Sequence, residues 1–278
     1  NPMTKPTRAA KRMGDPGGVL AIFAIAYLLF LYVPVLFLPV FSFNDSIFIA
    51  FPLKGFTTKW YEQAFADDDM LRALTASLQV GAVASIVATI LGLLGAKAVT
   101  RYRMPGQSLV TGTIMLPLFI PEIILGIALL ILVNALSIPL SLVSITIGHI
   151  MLCTPFAMAV LTSRLDGFDK SLEEASMDLG ETPWMTFWRV TFPLVAPGII
   201  SSLLLSFIVS FDEFLLSFFL QGQQPTLPVY IWSQLRFPNK LPSVLALGAI
   251  ILIVSCVLVV LAEWVRQLGT TERKVGVA

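Results

Sequence analysis

Two acidic residues stand side by side in the apolar stretch SFDEFLLSFF at residues 210–219, where Asp212 precedes Glu213. A third acid, Glu122, follows two prolines in the stretch MLPLFIPEIILG at residues 115–126. A charged side chain near the centre of a membrane helix costs about 2.5–3.5 kcal/mol on insertion scales, so acids in such segments need a function or a partner. Deprotonated carboxylates in a partly dry cavity attract cations and oppose anions. The three acids are therefore candidates for binding a positively charged solute.

Aromatic residues near these acids would suit the same solute. Phe211 adjoins Asp212, and Trp232 lies in the next polar connection, so their rings could pack methylene groups or contact ammonium groups. Adjacent residues of a helix point about 100° apart, so Asp212 and Glu213 cannot both face one path. We expect one of them to line the path and the other to meet a neighbouring helix. In the alternative reading, hydrogen bonds from neighbouring helices or protonation on burial satisfy the acids.

The elements that must position these residues are membrane helices. Of the 278 residues, 56% are hydrophobic and 13% are charged, and the mean hydropathy is +0.86. The apolar residues form blocks long enough to cross a hydrocarbon core of about 30 Å, and only helices or closed barrels satisfy the backbone there. The sequence therefore predicts an all-α, polytopic membrane protein with six transmembrane helices, at 19–41, 74–99, 108–133, 141–163, 192–220 and 242–265.

The distribution of positive charge predicts the orientation. Thirteen of the 18 Lys and Arg residues fall in the two tails and in the second and fourth connections, at residues 100–107 and 164–191, or directly beside them. By the positive-inside rule, both termini are cytoplasmic. We expect a tail at 1–18, a six-helix transmembrane domain at 19–265 and a second tail at 266–278. The first apolar block lacks a small-residue cleavage site and reads as a retained anchor.

Several classes of function find no support in the sequence. The net charge of +1 and the dispersed basic residues argue against a nucleic-acid partner. Cys153 and Cys256 have no spacing typical of a disulfide framework or a metal site. With His149 as the single histidine and no nucleophile elbow or phosphate loop, we expect no catalytic site, no metal and no cofactor in this chain. His149 is expected to hydrogen-bond between helices.

The connection at 164–191 is the least lipid-like part of the chain. Asp169 can cap a short amphipathic helix over 171–179, which would place Leu172, Ala175 and Leu179 on one face. Gly180 then permits a left-handed helix end, and Pro183 discourages continuation. These residues predict a short helix, a sharp turn and a second short helix.

The segment EASMDLGETPWMTFWRVTFP at residues 174–193 resembles the EAA motif of ABC-importer permeases. Glu174, Ala175, Gly180 and Pro193 match the motif, whereas Ser176, Val190 and Phe192 depart mildly from it. The stretches GFTTKWY at 55–61, GHIMLCTPF at 148–156 and SRLDGFDKSLEEASMDLG at 163–180 are similar to the spermidine/putrescine branch of that family.

The resemblance implies a six-helix permease subunit of the bacterial inner membrane that moves a polyamine cation. Its partners would be a second permease subunit, two ATPase subunits that bind ATP and Mg, and a periplasmic binding protein that delivers the substrate. The loop at 164–191 would dock on the ATPase as a coupling helix. Its expected contacts are Glu174, which would accept hydrogen bonds from a basic residue, Ala175 and Ser176, which would allow close approach, Gly180, which would set the turn, and Glu173 and Asp178 as weaker candidates.

Other functions fit the sequence less well. The same architecture could import another small amine, aminobutyrate, an amino acid or an opine. An ion-coupled secondary transporter could also carry acids in its membrane helices, but such folds usually contain two related halves, and no repeat is evident here. An intramembrane enzyme would need a catalytic set that the sequence does not offer.

Overall fold

The computed structural model describes residues 16–102 and 105–271, and over these ranges it forms helices joined by short connections. No β-strand occurs among the described residues; an isolated bridge joins Asn44 to Phe56. The predictions for most of the first tail, for the end of the second tail and for Arg103 lie outside the described residues.

The helices of the first half of the chain are α1 (Pro16–Ser42), α2 (Lys59–Phe65), α3 (Asp68–Arg101), α4 (Gln107–Met115) with a 3-10 turn at Leu116–Leu118, α5 (Glu122–Ala135) and α6 (Leu142–Leu165). Those of the second half are α7 (Ser171–Asp178), α8 (Pro183–Thr186) followed by a π-helical segment at Phe187–Thr191, α9 (Phe192–Asp212), α10 (Leu215–Leu220), α11 (Leu227–Gln234) and α12 (Leu241–Thr271).

Five helical stretches are long and apolar enough to cross a membrane: Gly18–Ser42, Asp68–Arg101, Leu142–Leu165, Pro183–Asp212 and Leu241–Leu261. A sixth arises if Gln107–Leu118 and Glu122–Ala135 form one span, with a bend of 104° between them. The expected count of six is thus reached with one broken span. The all-α membrane fold agrees with the prediction.

Two of the predicted helices are not continuous. The block at 108–133 breaks before Glu122, where Pro117 and Pro121 cannot donate backbone hydrogen bonds. The block at 192–220 breaks at residues 213 and 214, between α9 and α10. Irregular backbone at membrane depth is tolerated where protein or a watery cavity covers it, so both breaks mark places that face something other than lipid.

The centre of the bundle is formed by α3, α6 and α9, which pack against one another. The small residues of α3 make this possible: Ala84 and Ala88 are fully buried, and a Cβ added at Gly92 would lie 2.7 Å from the Cβ of Ala157 in α6. The hydroxyls of Thr89 and Ser202 are 3.2 Å apart where α3 meets α9. The small residues of this span therefore serve helix packing.

Asp67 joins the outer connections to the bundle. Its Oδ1 accepts hydrogen bonds from the backbone N–H groups of Asp69 and Met70 and so caps α3. Its Oδ2 accepts from the Tyr230 hydroxyl at 2.9 Å and from Lys240 Nζ at 3.0 Å. The start of α3, α11 and the start of α12 therefore share one carboxylate.

Candidate translocation and coupling sites

The adjacent acids lie at the break in the fifth span, and the break gives them different surroundings. Glu213 is 8% exposed, and its Oε1 accepts a hydrogen bond of 2.9 Å from the backbone N–H of Leu216, in the first turn of α10. A carboxylate in this position satisfies an otherwise unpaired amide and caps the short helix. The expectation that Glu213 contacts a solute is therefore corrected, since its side chain is turned inward to stabilise the break.

Asp212, the last residue of α9, is exposed and lines a cavity of about 300 Å³. Phe211 and Phe214 line the same cavity, together with residues of α11 and α12. The structure thus brings together Asp212 and Phe211, two of the residues predicted from the sequence. It also shows which of the adjacent acids faces open space, a choice that the sequence left undecided.

Trp232 adjoins this cavity through Phe214, since the two ring centroids are 6.0 Å apart. It also packs against Phe218 at 5.3 Å. The guanidinium of Arg236 lies 4.7 Å from the centroid of the Trp232 ring. The Trp232 ring, which the sequence predicted to contact the ammonium groups of a solute, therefore already contacts the guanidinium of Arg236.

Glu122 is the first residue of α5 and is exposed at the break in the third span. The helix that it begins, α5, packs against α10, the second half of the broken fifth span. The breaks of the third and fifth spans are therefore neighbours, and all three predicted acids flank them.

His149 connects the two halves of the broken fifth span. Its Nδ1 is 2.7 Å from the Ser210 hydroxyl at the end of α9, and its Nε2 is 3.1 Å from the Ser217 hydroxyl in α10. The imidazole is 1% exposed. The prediction that His149 hydrogen-bonds between helices is confirmed. Sequence reasoning missed the serines, although Ser202, Ser206 and Ser210 recur every four residues on one face of α9 and are all buried.

The coupling loop folds as its local sequence predicts. After α7, Gly180 adopts a φ of +94°, with its N–H bonded to the Met177 carbonyl at 2.9 Å and the N–H of Glu181 bonded to the Ser176 carbonyl at 3.2 Å. These two bonds form a Schellman motif, which favours glycine at the left-handed position. Pro183 then opens α8, as expected for a proline at the first turn of a helix.

The start of α7 differs slightly from the prediction. The helix begins at Ser171 with Lys170 in the capping position, but Asp169 still accepts a hydrogen bond of 2.9 Å from the backbone N–H of Ser171. That hydrogen bond lowers the pKa of the exposed Asp169 carboxyl below its usual value. Asp169, the acid predicted to cap this helix, therefore stabilises its first turn from the position before the N-cap.

One face of α7 is open on the surface of the molecule. Leu172, Ala175 and Leu179, the predicted apolar face, are exposed, and Leu179 is 88% exposed. Glu174 and Asp178 are exposed as well, and Glu174 makes only a long ion pair with Lys170, at 3.9 Å. An exposed apolar face with charged neighbours is typical of a surface that binds another protein.

Two residues predicted for this surface lie elsewhere. Glu173 is buried, where it pairs with Arg101 at 2.7 Å and accepts a hydrogen bond of 2.5 Å from the Thr191 hydroxyl. The Ser176 hydroxyl is 3.0 Å from that of Thr186 in α8. Successive residues of a helix point in different directions, so Glu173 and Ser176 face the body of the protein while Glu174 and Ala175 face outward. The assignment of Glu173 and Ser176 to the docking surface is corrected.

A bundle of apolar helices with two broken spans, a cavity at one break and an exposed helix in its long connection defines a multi-pass membrane transport subunit. Residues 88–268 match the model of the family of binding-protein-dependent transport system inner membrane components. The chain belongs to this family, and the resemblance inferred from the EAA-like segment is confirmed.

Individual relatives and solved structures agree with this membership. The chain is 35% identical to the spermidine/putrescine transport system permease protein PotC of Escherichia coli (strain K12), over 88% of this chain and 92% of that protein. It is 36% identical to the putrescine transport system permease protein PotI of the same strain, over 80% of this chain and 82% of that protein. The fold is similar to that of a chain in the crystal structure of a bacterial alginate ABC transporter in complex with an alginate pentasaccharide-bound periplasmic protein, with a TM-score of 0.73, 19% identity and coverage of 93% and 96%.

Proposed function

We propose that this chain is a permease subunit of an ATP-driven ABC importer and forms half of the path for a polyamine cation. The observation that carries the proposal is the identity of 35% to PotC, a spermidine/putrescine permease, over 88% of the chain. The PotI relative, a putrescine permease, supports the same class of substrate.

The geometry around the break in the fifth span supports a polyamine. Asp212 offers a carboxylate at a cavity with walls from Phe211, Phe214 and Ile231. A polyamine carries ammonium groups separated by methylene chains, so it requires negative charge and apolar or aromatic contact close together. Glu122, exposed at the neighbouring break, adds a second carboxylate on the same path.

The partners follow from what this chain lacks and exposes. A second permease subunit completes the path, a periplasmic binding protein delivers the polyamine, and two ATPase subunits bind ATP and Mg. Leu172 and Ala175 of α7, with Leu179 directly after it, supply an apolar surface for one ATPase, and Glu174 supplies an acceptor for one of its basic residues. Both termini and α7 lie on the cytoplasmic side of the bacterial inner membrane.

The experiment that tests the proposal uses the complete importer in proteoliposomes, with uptake of radiolabelled spermidine and putrescine measured beside ATP hydrolysis. Asp212→Asn keeps the size of the side chain and removes its charge. A hydrogen bond to a charged group contributes about 1.5–3 kcal/mol, so we expect the KM for polyamine to rise about tenfold to a hundredfold. Glu62→Gln, which removes the charge of an exposed acid that does not line the cavity, is the matched control and should leave KM unchanged.

Three results would contradict the proposal. Equal KM values for the Asp212→Asn variant and the wild type would remove the substrate role of Asp212. Competition by aminobutyrate or an amino acid, with none by polyamines, would change the substrate class. Uptake that persists when the ATPase subunits are omitted would indicate an ion-coupled carrier instead.

A further inference from the structure

The inner end of the bundle contains a buried ion pair between two elements that are distant in sequence. Arg101 Nε lies 2.7 Å from Glu173 Oε2, and the two side chains are 8% and 10% exposed. Arg101 is the last residue of α3, and Glu173 lies in α7. The pair therefore joins the coupling helix directly to a transmembrane helix.

The same two side chains reach two further spans. Glu173 Oε1 accepts from the hydroxyl of Thr191, which is 1% exposed and immediately precedes α9. Arg101 Nη2 donates to the Leu165 carbonyl at the end of α6, at 3.2 Å, and its guanidinium lies 4.6 Å from the Phe168 ring centroid. One carboxylate and one guanidinium thus hold α7 to the inner ends of α3, α6 and α9.

A second contact of α3 reaches the same region. Lys97, one helical turn before Arg101, places its Nζ 4.6 Å from the ring centroid of Phe187, the first residue of the π-helical segment. At the level of sequence, Lys97 and Arg101 contribute only to the distribution of positive charge that predicts the orientation of the chain in the membrane. In the structure they attach the end of α3 to the segment that leads into α9.

A buried ion pair contributes little to stability, since a well-packed apolar pair in its place is often as stable or more so. The ion pair does fix the orientation of α7 relative to α3, because each hydrogen bond of the carboxylate and the guanidinium requires its own geometry. A network of this kind allows α7 to move as one rigid body with the spans that it contacts.

We propose that Glu173 and Arg101 transmit the displacement of α7 to α3 and α9 during transport. This inference rests on the proposed function as an ATP-driven importer. Glu173 is buried within this chain and acts as a positioning residue, whereas the adjacent Glu174 is exposed on the face proposed for the ATPase. The two neighbouring acids of α7 therefore perform different parts of coupling: one binds the motor subunit, and the other connects that contact to the spans.

The test compares Glu173→Gln with the matched variant Glu174→Gln in the reconstituted importer. We expect Glu173→Gln to retain ATPase binding and the basal ATP hydrolysis measured without the binding protein, while uptake per ATP in its presence falls by about tenfold, within the usual range of coupling between two sites. Glu174→Gln should instead weaken ATPase binding, so that hydrolysis and uptake fall together at unchanged uptake per ATP. Equal uptake per ATP in the Glu173→Gln variant and the wild type would overturn the proposal.

A second comparison separates coupling from simple stabilisation. Arg101→Met should lower the Tm of the complex, because Glu173 is then buried without its partner. The double variant Arg101→Met with Glu173→Leu should recover Tm through apolar packing but keep the low uptake per ATP. Recovery of coupling together with Tm would show that the pair only stabilises the fold and would overturn the proposal.

These outcomes are distinct from a failure of the proposed function. If the wild-type importer hydrolyses ATP when its binding protein is added but takes up no polyamine, the substrate assignment fails. In that case the coupling proposal is tested by the increase in ATP hydrolysis when the binding protein is added. This increase should be smaller in the Glu173→Gln variant than in the wild type.

Discussion

Neighbouring acids in this chain have different environments in two places. Asp212 lines a cavity while Glu213 caps α10, and Glu174 faces outward while Glu173 is buried against Arg101. In both pairs, one carboxylate is exposed and the other is buried and hydrogen-bonded within the chain. The residue type alone does not separate these roles, because the separation depends on the direction of each side chain.

Asp67 is the residue with the clearest expected dependence on pH. Burial opposes its charged form, but hydrogen bonds from Lys240, the Met70 N–H and Tyr230 outweigh that effect and lower the pKa of its carboxyl. A lowered pKa in the folded state means that this acid stabilises the fold at neutral pH and that its contribution is lost as the pH falls below about 4. Within the same cluster, burial and the Asp67 carboxylate raise the pKa of Tyr230.

Asp67→Asn should therefore lower the Tm of the detergent-solubilised protein at pH 7, and the difference from wild type should shrink as the pH falls below about 4. Differential scanning fluorimetry across that range measures it. Asp68→Asn, which removes an exposed acid one position later, is the control and should show no comparable difference. A Tm difference that stays constant with pH would contradict the role of the Asp67 charge.

At the scale of helices, close packing and helix breaks work together. Small residues let α3 approach α6 and α9 closely, which gives a firm centre to the bundle. The breaks before α5 and α10 then lie side by side, and His149 bridges the two halves of the fifth span. A continuous helix could not place an acid at a cavity and the next acid in a capping position.

Gly92→Ala should destabilise the protein, because the new Cβ would lie 2.7 Å from both the Cβ of Ala157 and the backbone N of Met158. Overpacking of this kind typically costs about 1–3 kcal/mol. Gly112→Ala in α4 is the matched control, since a Cβ there meets nothing within 4 Å. Thermal unfolding of both variants measures the difference, and equal Tm values would show that α3 and α6 can separate at no cost.

At the scale of the whole molecule, the fold has a firmly packed centre and apolar surfaces open to the membrane. The most apolar part of α1 has none of its residues buried, and α1 packs mainly along α12. The exposed side chains of α7 lie in the connection between the fourth and fifth spans, away from the membrane-spanning segments. The end of the bundle that carries α7 therefore has an exposed surface distinct from the apolar sides.

The orientation of the molecule can be tested by labelling single cysteines with a membrane-impermeant maleimide. Cys153 and Cys256 are first changed to alanine. Asn239→Cys, in the connection before α12, should label in intact spheroplasts, whereas Lys170→Cys, beside α7, should label only in inverted vesicles. The reverse pattern would place the termini and α7 on the outer side and contradict the proposed topology.

The sequence by itself determined the features that depend on local chemistry. The length of the apolar segments predicted the spans, since a single segment in lipid satisfies its backbone hydrogen bonds by forming a helix. Gly180 and Pro183 predicted the turn between α7 and α8, because their backbone preferences act within a few residues. The two prolines before Glu122 lack backbone N–H donors, and the structure shows a full break there.

Only the tertiary structure decided which side chains meet. Arg101 and Glu173 are 72 residues apart, and Asp67 and Tyr230 are 163 apart. The end of α9 near Asp212 likewise depends on α6, whose His149 hydrogen-bonds to Ser210, so no local signal shows which acid faces the cavity and which caps a helix. A side chain's direction follows from where its helix ends, and that end is fixed by hydrogen bonds and packing that come from other parts of the chain.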